Sequence, residues 1–171
     1  THKHPEFTDK TIWEVFEAER GILIPAPKEF DGYRLKQCRV SSICLVHVDS
    51  NRYSAPCDAA GKPVQVKVYA DRIKVVLGDK AIAEHKREFG RDKTIYEPLH
   101  YVPLLERKPE ALRNGVPFTI WKLPESMEQI REALRRHDDW DRQFAGILTA
   151  ISSRGLDVVA AACATALDQG T

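Results

Sequence analysis

Two prolines stand two residues apart in Leu23-Ile24-Pro25-Ala26-Pro27, and the apolar spacing of the chain changes across them. A proline nitrogen cannot donate to a helix, and the residue before each proline is driven toward extended backbone, so this stretch reads as an extended connector. Before it the spacing is helical. Thr11 and Glu14 have the form of a capping box, in which the Thr side chain accepts from the N3 amide while the Glu side chain reaches back. Ile12, Trp13, Val15, Phe16 and Ala18 then predict a short helix over 8–20, ended by Gly21.

Beyond Phe30-Asp31-Gly32 the period becomes two. Strands are expected over 34–38, with Val40 at the end of the first, and over 43–48. Asp49-Ser50-Asn51 is a turn cluster, after which Arg52-Tyr53-Ser54 resumes the extended chain. Gly61-Lys62-Pro63 turns into Val64-x-Val66-x-Val68, whose valines alternate with Gln65, Lys67 and Tyr69 as in a half-buried strand. Ala70-Asp71 and Gly78-Asp79 are turns into runs at 72–77 and 80–85. Short β-rich runs joined by tight turns predict a small antiparallel β-barrel of SH3-like or OB-like size.

After Phe89-Gly90 the chain is irregular and rich in aromatics and prolines. Pro109 suits the first turn of a short helix stopped at Asn114-Gly115. Helices are expected over 124–136, 139–153 and 156–168, the last two as a hairpin about Gly155, with Phe144, Ile147, Leu148 and Ile151 on one face. The expected fold class is α+β: a small barrel flanked by an N-terminal helix and a C-terminal helical hairpin. The expected divisions are 1–31, a helix and connector; 32–93, the barrel; and 94–171, an irregular linker and helices.

Little in the sequence suggests catalysis. The six histidines form no H-E-x-x-H or Cys/His pairing, and Cys38, Cys44, Cys57 and Cys163 lack C-x-x-C spacing, so a zinc site is not expected. The cysteines read instead as reduced, with Cys44 facing the barrel interior beside Val46, in a cytoplasmic setting. Asp138, Asp139 and Asp141 stand at a helix start, where carboxylates complement the helix dipole. No phosphate loop or serine elbow is present. No apolar run approaches the ~20 residues of a membrane span. The opening Thr1-His2-Lys3-His4 has no signal-peptide pattern, and without an initiator Met the chain is expected to be an excised fragment.

Charge is more telling. The net charge is +1, yet residues 32–93 hold thirteen Lys/Arg against seven Asp/Glu. This local excess suits a polyanion. Alternation places Lys67 on the face of Gln65 and Tyr69, and Arg72 and Lys74 on one face of the next strand. Arg39, Arg52, Lys86, Arg87, Arg91 and Lys93 extend the candidate set. With Tyr53 and Tyr69 nearby for stacking, a phosphate-binding face fits this pattern, and so does the solvated outside of a barrel.

Arg52-Tyr53-Ser54-Ala55-Pro56, with Asn51 before it, resembles the N-x-Y-S-V-P stretch of IstA-type transposases of the Mu-like and retroviral-integrase superfamily, with Ala55 in place of Val. The likeness continues through Val64–Val76, Ala83–Arg87 and His100–Pro109, and into the tail from Asp141 to Leu167. Leu23–Pro27 looks like the family's L-x-P-x-P connector. The resemblance implies the β-barrel and helical tail that follow a D-D-E catalytic core. No triad position is matched, so a non-enzymatic module without a cofactor is expected, with Mg²⁺ belonging to the absent core. Implied partners are DNA, other transposase subunits and an IstB-type AAA+ ATPase, with no membrane. The implied location is the bacterial cytoplasm, on the nucleoid when active. The implied role is DNA binding and transpososome assembly; the alternative is a protein-interaction module for those same proteins.

Overall fold

The computed structural model describes residues 2–24 and 31–170. From Pro25 onward the expected proline connector lies outside the described residues. Two compact units are formed, Thr1–Gly32 and Tyr33–Thr171.

In the first unit a bridge between Lys3 and Thr11 precedes α1 (Ile12–Glu19). The capping box forms as the sequence requires: Thr11 Oγ1 accepts from the Glu14 amide at 3.2 Å, and the Glu14 carboxylate accepts from the Thr11 amide at 2.7 Å. Of the apolar stripe on α1, Val15 is buried, whereas Ile12, Trp13 and Phe16 are exposed.

The second unit has the α+β composition expected. Its strands are β1 (Arg34–Arg39), β2 (Leu45–Val48), β3 (Asn51–Ser54), β4 (Pro63–Val68), β5 (Arg72–Leu77), β6 (Lys80–Lys86) and β7 (Thr94–Ile95). They form one antiparallel sheet in the order β1-β4-β5-β6 and a mixed sheet β2-β3-β7, in which β3 and β7 run parallel. The alternating valines dictate how the two meet. Val64, Val66, Val68, Ile73 and Val75 of the first sheet share one core with Val46, Val48 and Tyr53 of the second. At ~25 cal/mol per Å² this apolar burial is the main force joining the sheets.

A second core lies among the helices. α2 (Val102–Leu105), α3 (Ala111–Asn114) and α4 (Val116–Thr119) are single turns, and α5 (Glu125–Leu134), α6 (Trp140–Arg154) and α7 (Leu156–Asp168) are longer. Phe144, Leu148 and Ile151 of α6 pack with Val102, Leu105, Met127 and Val159, as the period-3.6 spacing required. Gly155 joins α6 to α7 at a φ of 85°, a left-handed value that glycine takes without Cβ strain.

Two local expectations are corrected. The second strand begins at Leu45 rather than Ile43, because Ser41–Cys44 close a turn: the Cys44 amide donates to Ser41 O at 3.0 Å, and Cys44 sits at a φ of 61°. That turn also reverses the direction of Cys44. It packs with Tyr101, Met127 and Phe144 in the helical core, not inside the barrel beside Val46. Tyr101 Oη secures the same corner by donating to Ile43 O at 3.2 Å. At α6 the acids stand at the helix start as expected, Asp139 as the N-cap residue without a side-chain cap bond and Asp141 in the first turn, where it also pairs with Arg113 Nε at 2.9 Å. The four cysteines are free thiols.

The segment after β6 crosses β3 and is pinned there by buried polar groups. Asn51, fully buried, donates from Nδ2 to Glu88 O at 3.0 Å and Gly90 O at 3.2 Å, and its Oδ1 accepts from the Lys93 amide at 3.0 Å. Tyr53 Oη accepts from the Glu88 amide at 3.0 Å. Ser54 Oγ accepts from the Glu97 amide at 2.8 Å and shares a hydrogen bond with His100 Nδ1 at 2.9 Å. His85 Nε2 donates to Ser54 O at 2.6 Å.

Replacing Asn51 with Ala would strand two carbonyls and an amide, and should lower unfolding stability by about 3 kcal/mol in a denaturant titration. Burial lowers the pKa of both rings from the ordinary 6.5, that of His100 to about 4. The unfolded chain therefore takes up protons first on acidification. Stability should be full above pH 6.5 and decline as pH falls toward 4, as followed by urea midpoints across that range.

Candidate nucleic-acid interface

Alternation on the four-stranded sheet sends its valines inward, and every second residue outward in rows set by the ladder register. Leu35, Lys67, Lys74 and Glu84 lie side by side across β1, β4, β5 and β6. Two residues along, Gln37, Gln65 and Val76 form the next row. At the other end stand Tyr33, Tyr69, Arg72 and Lys86, the last two being direct partners. The Tyr33 and Tyr69 rings meet at 5.6 Å between centroids. Lys67 Nζ lies 4.3 Å from the Tyr33 centroid and the Arg72 guanidinium 4.3 Å from that of Tyr69. Lys74 Nζ approaches Tyr69 at 5.9 Å. The quadrupole of each ring holds a cation over it and keeps the long side chains along the sheet.

Glu84 is the one acid in these rows. It accepts from Lys74 Nζ at 3.2 Å and Arg72 Nε at 3.5 Å. All three side chains are partly solvated, which limits such contacts to ~1 kcal/mol or less. Glu84 thus orders the cations weakly and offsets part of their charge.

Five of the nine basic residues singled out from the sequence share this face: Arg39, Lys67, Arg72, Lys74 and Lys86. Arg39 stands at its far corner, its Nη1 donating to Gly61 O at 2.5 Å. Arg52 does not join them. It is the β3 partner of His47, on the outward side of the other sheet, and its Nη2 reaches Asp92 O at 3.5 Å. Arg87 is spent on the fold: Nη1 donates to Tyr69 O at 2.8 Å and Nη2 pairs with Asp49 at 3.0 Å. Arg34 also bonds Asp49, at 2.5 Å, and that contact is foremost in holding the Asp49 carboxyl below its usual pKa. Arg91 is exposed in the bend between β6 and β7, and Lys93 beside it pairs with Glu88 at 2.7 Å.

Sequence reasoning missed Tyr33, Gln37 and the pairing role of Glu84. The first two were recoverable, because Tyr33, Leu35, Gln37 and Arg39 share the parity opposite the half-buried Cys38. His85 and His100 belong to the buried pin, and among the described residues no group of three or more His, Cys, Asp or Glu is placed to hold a metal ion. No helix among them is long and apolar enough to cross a membrane.

Residues 24–97 match the family model of the Mu transposase C-terminal domain. A transposase for insertion sequences IS1326/IS1353 of Pseudomonas aeruginosa is 36% identical over 98% of this chain and 34% of its own length. A transposase of Aminobacter aminovorans is 36% identical over 94% of this chain and 32% of its own length. A transposase for insertion sequence element IS232 of Bacillus thuringiensis subsp. berliner is 32% identical over 52% of this chain and 21% of its own. The chain thus spans about a third of the length of the first two relatives. No solved structure matches it.

The division of the basic residues is open to a direct stability measurement. Arg87→Ala removes donors from Tyr69 O and Asp49 and should cost about 1–2 kcal/mol in chemical denaturation, whereas exposed Arg91→Ala should stay within about 0.5 kcal/mol of the parent. Equal effects would contradict the structural role given to Arg87.

Proposed function

We propose that the chain, whose residues 24–97 match the Mu transposase C-terminal domain, is a DNA-binding and transpososome-assembly module acting in DNA transposition. The observation that carries this reading is the outer face of the four-stranded sheet, where Lys67, Arg72 and Lys74 gather at Tyr33 and Tyr69, with Lys86 beside Arg72 and Arg39 at the far corner. Cations on such a face meet phosphates, and the exposed Tyr33 ring gives a stacking surface, whereas Tyr69 is buried with Arg72 over its ring. Under the same proposal, strand cutting and joining, the D-D-E triad and its Mg²⁺ belong to the rest of the transposase. Its partners are DNA, other transposase subunits and an IstB-type AAA+ ATPase, met in the bacterial cytoplasm on the nucleoid.

A second reading, a protein-interaction module for those subunits or the ATPase, is favoured by an apolar groove of about 490 Å³ between α5, α6 and α7. Ile130, Ile147, Val158 and Cys163 line it. The two readings part in their dependence on salt.

Changing Lys67, Arg72 and Lys74 together to Ala should weaken binding of the transposase to all DNA sequences alike. The slope of log affinity against log salt should become shallower by roughly three, at about 0.9 per lost phosphate contact. Glu84→Gln should do the reverse and raise affinity at low salt by about fivefold, the equivalent of ~1 kcal/mol released from its two ion pairs. Anisotropy titrations over a salt series read both. Unchanged affinity and slope in the triple variant would leave the interaction module as the better reading.

A further inference from the structure

Gln37 and Gln65 face each other directly across the β1–β4 ladder, both exposed on the outer side of the sheet. Among the described residues neither side-chain amide has a hydrogen-bond partner. Each therefore presents one carbonyl acceptor and two N–H donors outward. They line an open concavity of about 550 Å³ with Arg39, Pro63, Val76 and Gly78. Pro63 and Val76 supply an apolar wall, and Arg39 a guanidinium of which Gly61 O takes one donor.

The amide row lies two residues along each strand from Lys67 and Lys74, about 7 Å away on the same face. The lysines and the two amides thus stand at different ends of one surface, with Arg39 at the rim of the amide end. The cation–tyrosine end suits phosphate and stacking, whereas the amide end holds neutral groups able to donate and accept at once. A paired donor and acceptor is what distinguishes one base edge from another; glutamine meets the N6 and N7 edge of adenine in this way, while a carboxylate accepts from the N4 amine of cytosine.

We propose that Gln37 and Gln65, with Arg39 at the rim, form a base-reading subsite that gives the sheet face a sequence preference, its ligand being the exposed edges of DNA bases. The proposal deepens the DNA-binding reading and rests on it. The cations hold the backbone in register and the two amides discriminate among the bases brought to them.

The test is selection from a random 20-base-pair duplex pool by the full chain, followed by anisotropy titration against the enriched duplex and a scrambled one. The wild type should prefer the enriched duplex. The Gln37→Ala/Gln65→Ala double variant should bind the scrambled duplex with unchanged affinity and salt slope but lose about tenfold on the enriched one. Gln65→Glu keeps the side-chain size and removes its donors, and repeating the selection with it should shift the enriched motif from adenine toward cytosine. An unchanged preference in the double variant, or an unchanged motif with Gln65→Glu, overturns the subsite. Wild-type binding without any preference overturns it as well, yet leaves the phosphate-binding face standing. Failure of the wild type to bind either duplex at low salt overturns both.

Discussion

Asn51, Tyr53 and Ser54 place three hydrogen-bonding side chains on one four-residue strand inside an otherwise apolar core. A buried polar group without a partner costs ~1–3 kcal/mol, so each of these must be met by a specific atom. Those atoms belong to the segment between Glu88 and His100, more than thirty residues along the chain. Apolar burial holds the two sheets together but tolerates sliding and repacking. The polar pin does not, because it is satisfied in only one register.

Much of the remaining architecture hangs from that register. With the segment fixed, Thr94 and Ile95 fall beside Arg52 and Tyr53 as a parallel strand, a pairing that two residues would scarcely sustain alone. A few residues on, Cys57 Sγ donates to His100 O at 2.9 Å and Tyr101 Oη reaches Ile43 O, which seats the first helical turn against the open end of the β2–β3 hairpin. The helical core is thereby anchored to the sheets through Cys44 and Tyr101. The stretch that resembles the Asn-x-Tyr-Ser-x-Pro signature is accordingly a structural clasp, and none of its buried side chains is presented to a ligand.

With its interior settled in this way, the second unit leaves the outer side of the four-stranded sheet free for recognition. The acids near the basic residues divide their roles. Asp49 draws Arg34 and Arg87 into the fold, whereas Glu84 holds Arg72 and Lys74 loosely on the surface. The excess of cations in residues 32–93 is therefore an overestimate of what the sheet face presents. Part of it is consumed in joining turns to strands, and Arg52 faces away.

Features set by neighbours in sequence were legible in advance. The capping box at Thr11 and Glu14, the inward valines of β4, the turns at Gly61, Asp71 and Gly78, and the amphipathic α6 each follow from steric and apolar periodicity within a few residues. The shared face of Lys67, Arg72 and Lys74 follows for the same reason, since side-chain parity and a tight hairpin fix it locally. What only the tertiary structure decided depends on partners distant in the chain: the polar pin on β3, the parallel β7, the capture of Cys44 by the helical core, and the loss of Arg52 and Arg87 from the basic face. Sequence parity says which side of a strand a residue occupies. It cannot say which sheet that strand joins or which remote carboxylate a guanidinium meets, because those depend on long-range burial and on where the few buried hydrogen-bonding groups find their partners.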